Sequence, residues 1–134
     1  MLFKMEGRID KMAWKLDGDR PIYAQIIDEI QIRIVAGIYV AGDKIPSVRE
    51  LAAEAAVNPN TMQKALSELE RSGLISTMRT SGRIVTEDTK MIDEVKARLA
   101  TEQINVFFEK MNQFGFSNEE TIELIQKAAK GEIK

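Results

Sequence analysis

Amide and hydroxyl side chains are concentrated in one short stretch at the start of a predicted helix. The stretch contains Asn58, Asn60, Thr61, Gln63 and the cation Lys64. In DNA recognition, paired hydrogen bonds from Asn or Gln read the edge of adenine, and Thr offers a hydroxyl and a methyl group to thymine. The simpler interpretation is that Asn58 only caps its helix and that the others are solvated. These residue types at this spacing are candidates for contact with base edges.

Cations on either side of that stretch are candidates for contact with the DNA backbone. Arg49 follows Ser47 by two positions, and Arg79 and Arg83 lie near the tip of a predicted hairpin. Arg49 and Lys64 could neutralise phosphates or read guanine. The hairpin arginines could enter a narrow minor groove, and Ser47 could cap a helix whose first N–H groups remain free for a phosphate. The alternative is that each is an ordinary surface residue, and their joint placement on one side of the motif is what favours DNA binding.

The first helix that positions these side chains is predicted from about Pro21 to Ala36. Proline is favoured at a first helical position. Isoleucine then recurs at every fourth position, which makes one apolar face, and Gly37 ends the pattern. Before the helix, residues 12–17 predict a short extended segment in which Trp14 is a packing anchor rather than a ligand-stacking residue.

Two further helices are predicted around a tight turn. Ser47 and Glu50 form an S-x-x-E capping box at the start of the second helix. The turn follows at residues 56–58. Asn58 as N-cap and Pro59 at the first helical position then start the third helix.

A small hairpin completes this arrangement. Gly73 ends the third helix, and strand-like runs at residues 74–78 and 83–86 flank the turn-forming residues 79–82. Helix, turn, helix and hairpin in this order predict a mainly α winged helix-turn-helix with a small β-hairpin wing. Such a motif holds one exposed helix in the DNA major groove.

The remaining chain predicts a helical dimerisation segment. We divide the sequence into a lead-in (1–19), the winged helix-turn-helix domain (20–86) and a two-helix dimerisation region (87–134). Ile122, Ile125 and Ala129 are expected to face inward in the last helix. Burial of one large apolar side chain contributes roughly 1.5–3 kcal/mol, so leaving many exposed is costly. The alternative is packing against the DNA-binding domain. The candidates for the dimer interface are Val95, Leu99, Val106, Phe107, Phe108, Met111, Phe114 and Phe116.

Composition argues against several functional classes. The 134 residues include no Cys and no His, which disfavours a zinc site, a Ser-His triad and the usual general base. We therefore expect no enzyme, no metal and no cofactor. No apolar run approaches the roughly 20 residues of a membrane helix, and the first eight residues lack the apolar stretch of a signal peptide. The sequence thus predicts a cytoplasmic protein without membrane contact.

The formal net charge of −2 is distributed unevenly. Residues 20–86 carry eight basic and seven acidic side chains, whereas residues 87–134 carry seven basic and ten acidic ones. Phosphate contact needs a local basic patch rather than a basic whole. The small local excess indicates modest non-specific DNA affinity.

These residues resemble the N-terminal winged-helix domain of the GntR family of bacterial transcriptional regulators, over Pro21 to Val85. The turn at residues 57–61 and the short tail resemble the YtrA subfamily in particular. The motif residues are Pro21-Ile22-Tyr23, Gln25-Ile26, Gly37, Gly42, Lys44-Ile45-Pro46-Ser47, Arg49, Leu51-Ala52, Ala65-Leu66, Leu69-Glu70, Gly73-Leu74-Ile75, Gly82 and Ile84-Val85.

The resemblance implies roles for individual residues. The family's arginine contact from the second helix matches Arg49, and its recognition-helix contacts match the stretch from Asn58 to Lys64. The family usually has glycine where Thr80 stands and a large apolar residue where Ala55 stands, so the wing turn and the packing behind the helical turn are expected to differ. The family's wing contacts match Arg79, Thr80, Ser81 and Gly82.

We interpret the chain as a homodimeric transcriptional repressor that binds a roughly two-fold symmetric operator in double-stranded DNA. The resemblance implies control of a nearby operon, often one for a transporter. A small-molecule effector is left open; it could bind only near the dimer helices or the domain junction. The rivals are a winged-helix protein-interaction module, which the small charge excess favours and the amide-rich turn disfavours, and an enzyme or metal protein.

Overall fold

The computed structural model describes residues 13–133, so the first twelve residues of the predicted lead-in lie outside the described part. The described chain forms two compact units that divide between Lys96 and Ala97. No helix within residues 13–133 is long and apolar enough to cross a membrane. The elements are α1 (Ile22–Val35), α2 (Val48–Ala55), α3 (Pro59–Ser72), β1 (Ile75–Met78), β2 (Gly82–Val85), α4 (Thr89–Gln113) and α5 (Asn118–Ala129).

Helix α1 begins one residue later than predicted. Pro21 occupies the N-cap, not the first helical position. The isoleucine stripe faces inward as predicted, since Ile26 and Ile30 are fully buried and Ile34 is nearly so. Gly37 follows the helix with φ +83°, a backbone conformation that glycine adopts without steric cost.

Helices α2 and α3 start as the sequence predicts. The capping box is confirmed, because Ser47 Oγ accepts from Glu50 N at 3.1 Å and Glu50 Oε1 accepts from Ser47 N at 2.8 Å. Between the helices, Ala56 adopts the left-handed conformation with φ 57°. Among the non-glycine residues from 13 to 133 it is the one with positive φ, so the turn is tighter than ordinary side chains favour.

The hairpin pairs antiparallel from Ile75–Val85 to Met78–Gly82, with residues 79–81 at its tip. The connector before α2 joins the hairpin at its other edge. Lys44 forms a β-bridge with Ile84, and Ile45 N donates to Arg83 O at 3.0 Å. The sequence pattern did not predict this third short strand-like contact, which ties the start of α2 to the hairpin.

The core of the first unit draws on all three helices and both strands. Trp14 packs against it, which agrees with its predicted role as an anchor. Met91, Ile92 and Val95 of α4 also pack against this core. Val95 is thus engaged within its own unit, although the sequence suggested it for a dimer interface. The largest fully buried apolar side chains of this unit are Ile26, Ile30, Leu51, Met62, Leu66, Leu69, Leu74, Ile75 and Val85.

The second unit contains the end of α4 and all of α5. Ser117 and Glu120 form a second capping box at the start of α5. Among residues 97–133, only Thr121 is buried. The expectation that the last helix buries its apolar side chains is wrong for the single chain, because Ile122 and Ile125 are 46% and 42% exposed and Ala129 is exposed. Two helices offer too little surface to cover these side chains.

Candidate nucleic-acid interface

The first turn of α3 is fixed by its own cap. Asn58 Oδ1 accepts a hydrogen bond from Asn60 N at 2.7 Å, and Pro59 occupies the first helical position. The backbone carbonyl of Asn58 accepts from the amides of Thr61 and Met62. The predicted cap is therefore confirmed, and it sets the direction in which the following polar side chains leave the helix.

The two faces of α3 differ sharply. Met62, Ala65, Leu66 and Leu69 anchor the inner face in the core, each no more than 1% exposed. Asn60, Gln63, Lys64 and Ser67 are exposed on the outer face, and Thr61 is half-buried. Gln63 Nε2 donates to Ser67 Oγ at 3.3 Å, so this amide is already ordered. A helix anchored this firmly presents its polar face as a rigid surface.

Lys64 contacts α1 as well as solvent. Its Nζ lies 4.5 Å from the centroid of the Tyr23 ring. Such a cation–π contact contributes about 0.5–1 kcal/mol at an exposed site. The ammonium group therefore has a preferred position over α1, where its charge remains accessible to a phosphate.

The start of α2 and the hairpin enclose a shared groove. Arg49 is exposed there. Hydrogen bonds from Ser47 lower the pKa of the Glu50 carboxyl group below its usual range. Lys44, a motif residue for which the sequence predicted no DNA contact, also lies on this groove and forms a β-bridge with Ile84. The groove has a volume of about 390 Å³ and is lined by Lys44, Ile45, Pro46, Ser47, Val48, Arg49, Gly82 and Arg83.

The predicted wing contacts do not share one environment. Arg79, Thr80 and Ser81 are exposed at the hairpin tip, and Gly82 begins β2 with φ +81°. Arg83 lies one residue pair behind the tip, opposite Thr77. Its side chain is 17% exposed, and its Nε lies 3.4 Å from Glu70 Oε2. Arg79 is thus placed to reach outward, whereas Arg83 is directed back to α3.

Two buried polar side chains, Gln25 and Arg33, hold the segment before α1 through contacts that the sequence did not predict. Gln25 Oε1 accepts a hydrogen bond from the backbone N of Asp17 at 2.7 Å, and Gln25 Nε2 donates to the backbone O of Asp17 at 2.8 Å. The guanidinium carbon of Arg33 lies 4.4 Å from the centroid of the Trp14 ring. Burial opposes the charge of Arg33, but hydrogen bonds with Glu29 and Tyr39 outweigh it and raise the pKa of Arg33.

A second cavity lies behind the turn between α2 and α3. The small side chain of Ala55 forms part of its wall, together with Trp14 and Leu16. Asn58, the N-cap of α3, and Thr61 of its first turn also line the cavity. Its volume is about 430 Å³. The structure therefore has empty space beside Ala55, where the resembled family usually has a large apolar residue.

The apolar residues proposed for dimerisation remain largely uncovered in the second unit. Phe107 and Phe108 contact each other, with ring centroids 6.2 Å apart. Leu99, Phe108 and Met111 are half-buried. The exposed members are Val106 (58%), Phe107 (43%), Phe114 (65%) and Phe116 (37%).

Known proteins share this arrangement. The family model described as bacterial regulatory proteins, gntR family, matches residues 22–85. The HTH-type transcriptional regulator YhcF of Bacillus subtilis (strain 168) is 39% identical over 117 residues, which are 87% of this chain and 97% of that protein. The chain belongs to the gntR family. It is a DNA-binding transcriptional regulator.

Other gntR-family relatives support the same assignment. The HTH-type transcriptional repressor YtrA of Bacillus subtilis (strain 168) is 46% identical over 85 residues, which are 63% of this chain and 65% of that protein. A GntR family transcriptional regulator from Listeria monocytogenes has a similar structure, with a TM-score of 0.76 and 40% identity over 84% of this chain and 98% of that one. The predicted family and the predicted winged helix-turn-helix fold are confirmed.

Proposed function

We propose that this gntR-family chain is a homodimeric repressor that reads a two-fold symmetric operator. The observation that carries the proposal is the outer face of α3, where polar side chains are exposed on a helix fixed by Asn58 and by a buried inner face. A recognition helix of this kind places its first turns against base edges in the major groove.

The proposed contacts divide by chemistry. Asn60, Thr61 and Gln63 read bases, because amides and hydroxyls match the donors and acceptors of the major groove. Asn58 lies beside them, while its Oδ1 is occupied by the helix cap. Arg49 and Lys64 bind DNA phosphates, and Ser47 directs the start of α2 toward the sugar-phosphate backbone of the DNA. The hairpin tip, made of Arg79, Thr80, Ser81 and Gly82, reaches the neighbouring minor groove.

Dimerisation is proposed through the second unit. Isolated apolar side chains are normal on a protein surface, but this unit exposes several phenylalanines and isoleucines. A second copy of the chain would cover them with matching apolar surface, since a two-fold interface is self-complementary. Val95 is excluded from this proposed interface because it packs against the core of the first unit.

Repression is supported by the name of one relative, the transcriptional repressor YtrA of Bacillus subtilis. Control of a transporter operon rests on the subfamily resemblance. The proposal includes no catalytic step, and the protein is expected to act in the cytoplasm on double-stranded DNA.

The test is binding to genomic DNA fragments, including the protein's own promoter, at known dimer concentration and across a salt series. We expect a fragment-selective complex with two protomers per site. Its affinity should fall steeply with salt, because released counterions set the slope. Uniformly weak binding to every fragment would contradict the proposal and favour a protein-interaction module.

A further inference from the structure

A single carboxylate on α3 contacts both strands of the hairpin. Glu70 lies near the end of α3, and its Oε2 accepts a hydrogen bond from Thr77 Oγ1 of β1. The same Oε2 lies 3.4 Å from Arg83 Nε of β2. Thr77 and Arg83 are direct cross-strand partners. Glu70 therefore joins the recognition helix to one rung of the wing, immediately behind its tip.

The charged side chains of Glu70 and Arg83 are both partly buried. The Arg83 side chain is 17% exposed and that of Glu70 is 26% exposed. Arg83 Nε is buried and has no hydrogen-bond partner among residues 13–133. Glu70 is thus the charge that compensates this guanidinium. Ion pairs with reduced solvent contact are screened less by salt than surface pairs, and removal of one member leaves the other without compensation.

We propose that Glu70 is a positioning residue for DNA binding, which fixes the wing on the recognition helix and neutralises Arg83. The inference rests on the proposed function, because it concerns the same DNA-binding face. In the intact protein the wing presents Arg79 to the DNA, while Arg83 makes no phosphate contact. This arrangement raises the ratio of specific to non-specific affinity. Because Glu70 neutralises Arg83, the wing has one fewer cation that could bind the phosphates of any DNA sequence.

Loss of the Glu70 charge has a measurable consequence for salt dependence. In Glu70→Gln the freed Arg83 can pair with a phosphate, and each added phosphate contact steepens the slope of log K against log salt by about 0.9. With this slope difference, the affinity of Glu70→Gln relative to that of the wild type rises about eightfold when the salt concentration is lowered from 1 M to 0.1 M. The gain should appear on random DNA as well, so the ratio of selected to random affinity should fall.

The experiment uses the full chain and two duplexes. One duplex is selected by the wild-type protein from a random-sequence pool, and the other is a scrambled version of it. Salt slopes are measured for the wild type, Glu70→Gln, Arg83→Gln and the double variant. Glu68→Gln is the matched control, because Glu68 lies on the same helix and pairs with the exposed Arg71 at 3.5 Å. Thermal melting verifies that each variant is folded.

We expect a steeper slope and lower selectivity for Glu70→Gln, with both returning toward wild type when Arg83→Gln is added. Arg83→Gln by itself should change the slope by much less than 0.9. If Glu70→Gln matched Glu68→Gln, the inference would be wrong while the proposed function stood. A slope reduced by about 0.9 in Arg83→Gln would overturn it as well, and would do so even if Glu70→Gln did not fold. Failure of the wild type to select any duplex would contradict the proposed function itself.

Discussion

Cutting the chain after Lys96 should separate folding from dimerisation. The fragment 1–96 retains the first unit, including Met91, Ile92 and Val95, which pack against its core. It loses the exposed apolar side chains of the second unit. We expect a folded monomer that binds DNA weakly, because a linked second head typically raises avidity by about 10²–10⁴.

The shorter fragment 1–86 supplies the comparison. It lacks the same dimer surface and also lacks Met91, Ile92 and Val95. Full burial of one such side chain contributes about 1.5–3 kcal/mol, so three half-buried side chains contribute roughly 2–5 kcal/mol. The fragment 1–86 should therefore unfold at a urea concentration lower by roughly 1–3 M than 1–96, given the usual urea dependence of small domains.

Sedimentation velocity and urea unfolding followed by circular dichroism test these expectations together. The full chain should sediment as a dimer, and both fragments as monomers. A dimeric 1–96 fragment would refute the placement of the interface in the second unit. Equal unfolding midpoints for 1–86 and 1–96 would refute a stabilising role for the start of α4.

Three further substitutions probe the DNA-binding face and its support. Arg49→Ala should weaken binding to the selected duplex and to random DNA by the same factor and reduce the salt slope by about 1; unchanged affinity for both would contradict the placement of α2. Gln63→Ala should alter sequence preference, in a selection from random DNA, more than it alters bulk affinity; an unchanged preference would make Gln63 a bystander. Glu50→Gln retains a hydrogen-bond acceptor for Ser47 but cannot gain a proton. Because the pKa of Glu50 is lowered in the folded protein, its stabilising contribution is present above its usual pKa and lost as pH falls below about 4.5. The wild type should therefore lose stability more steeply than Glu50→Gln in urea unfolding below that pH, and parallel losses would count against the capping box.

Local signals predicted the helix starts accurately. The two capping boxes and the Asn58 cap depend on residues at most three positions apart, so their chemistry is visible in the sequence. Pro21 is the exception: the sequence predicts it at the first helical position, whereas it is the N-cap in the structure. Proline is tolerated at both positions. The buried positions of α1 followed from the helical periodicity of its isoleucines, because such a pattern identifies the face that packs in the core.

Contacts between distant residues were not visible in the sequence. Glu70 was noted as part of a family motif, but its partners Thr77 and Arg83 depend on how the hairpin folds back on α3. The bridge of Lys44 to Ile84 likewise depends on tertiary structure. The exposed Ile122 shows a different limit of the sequence. An apolar stripe predicts that one helix face will be buried, but it does not say whether the same chain or another molecule covers that face.

The most direct test of the central claim is chemical protection of DNA by the bound protein. Dimethyl sulfate methylates guanine N7 in the major groove and adenine N3 in the minor groove, so it reports each groove separately. We expect two symmetric patches of guanine N7 protection about one helical turn or more apart, with adenine N3 protection beside each patch where the wing lies. Gln63→Ala should weaken protection of the major groove only. Absence of protection at guanines that lie within or beside the half-sites of a tightly bound duplex would contradict recognition by α3.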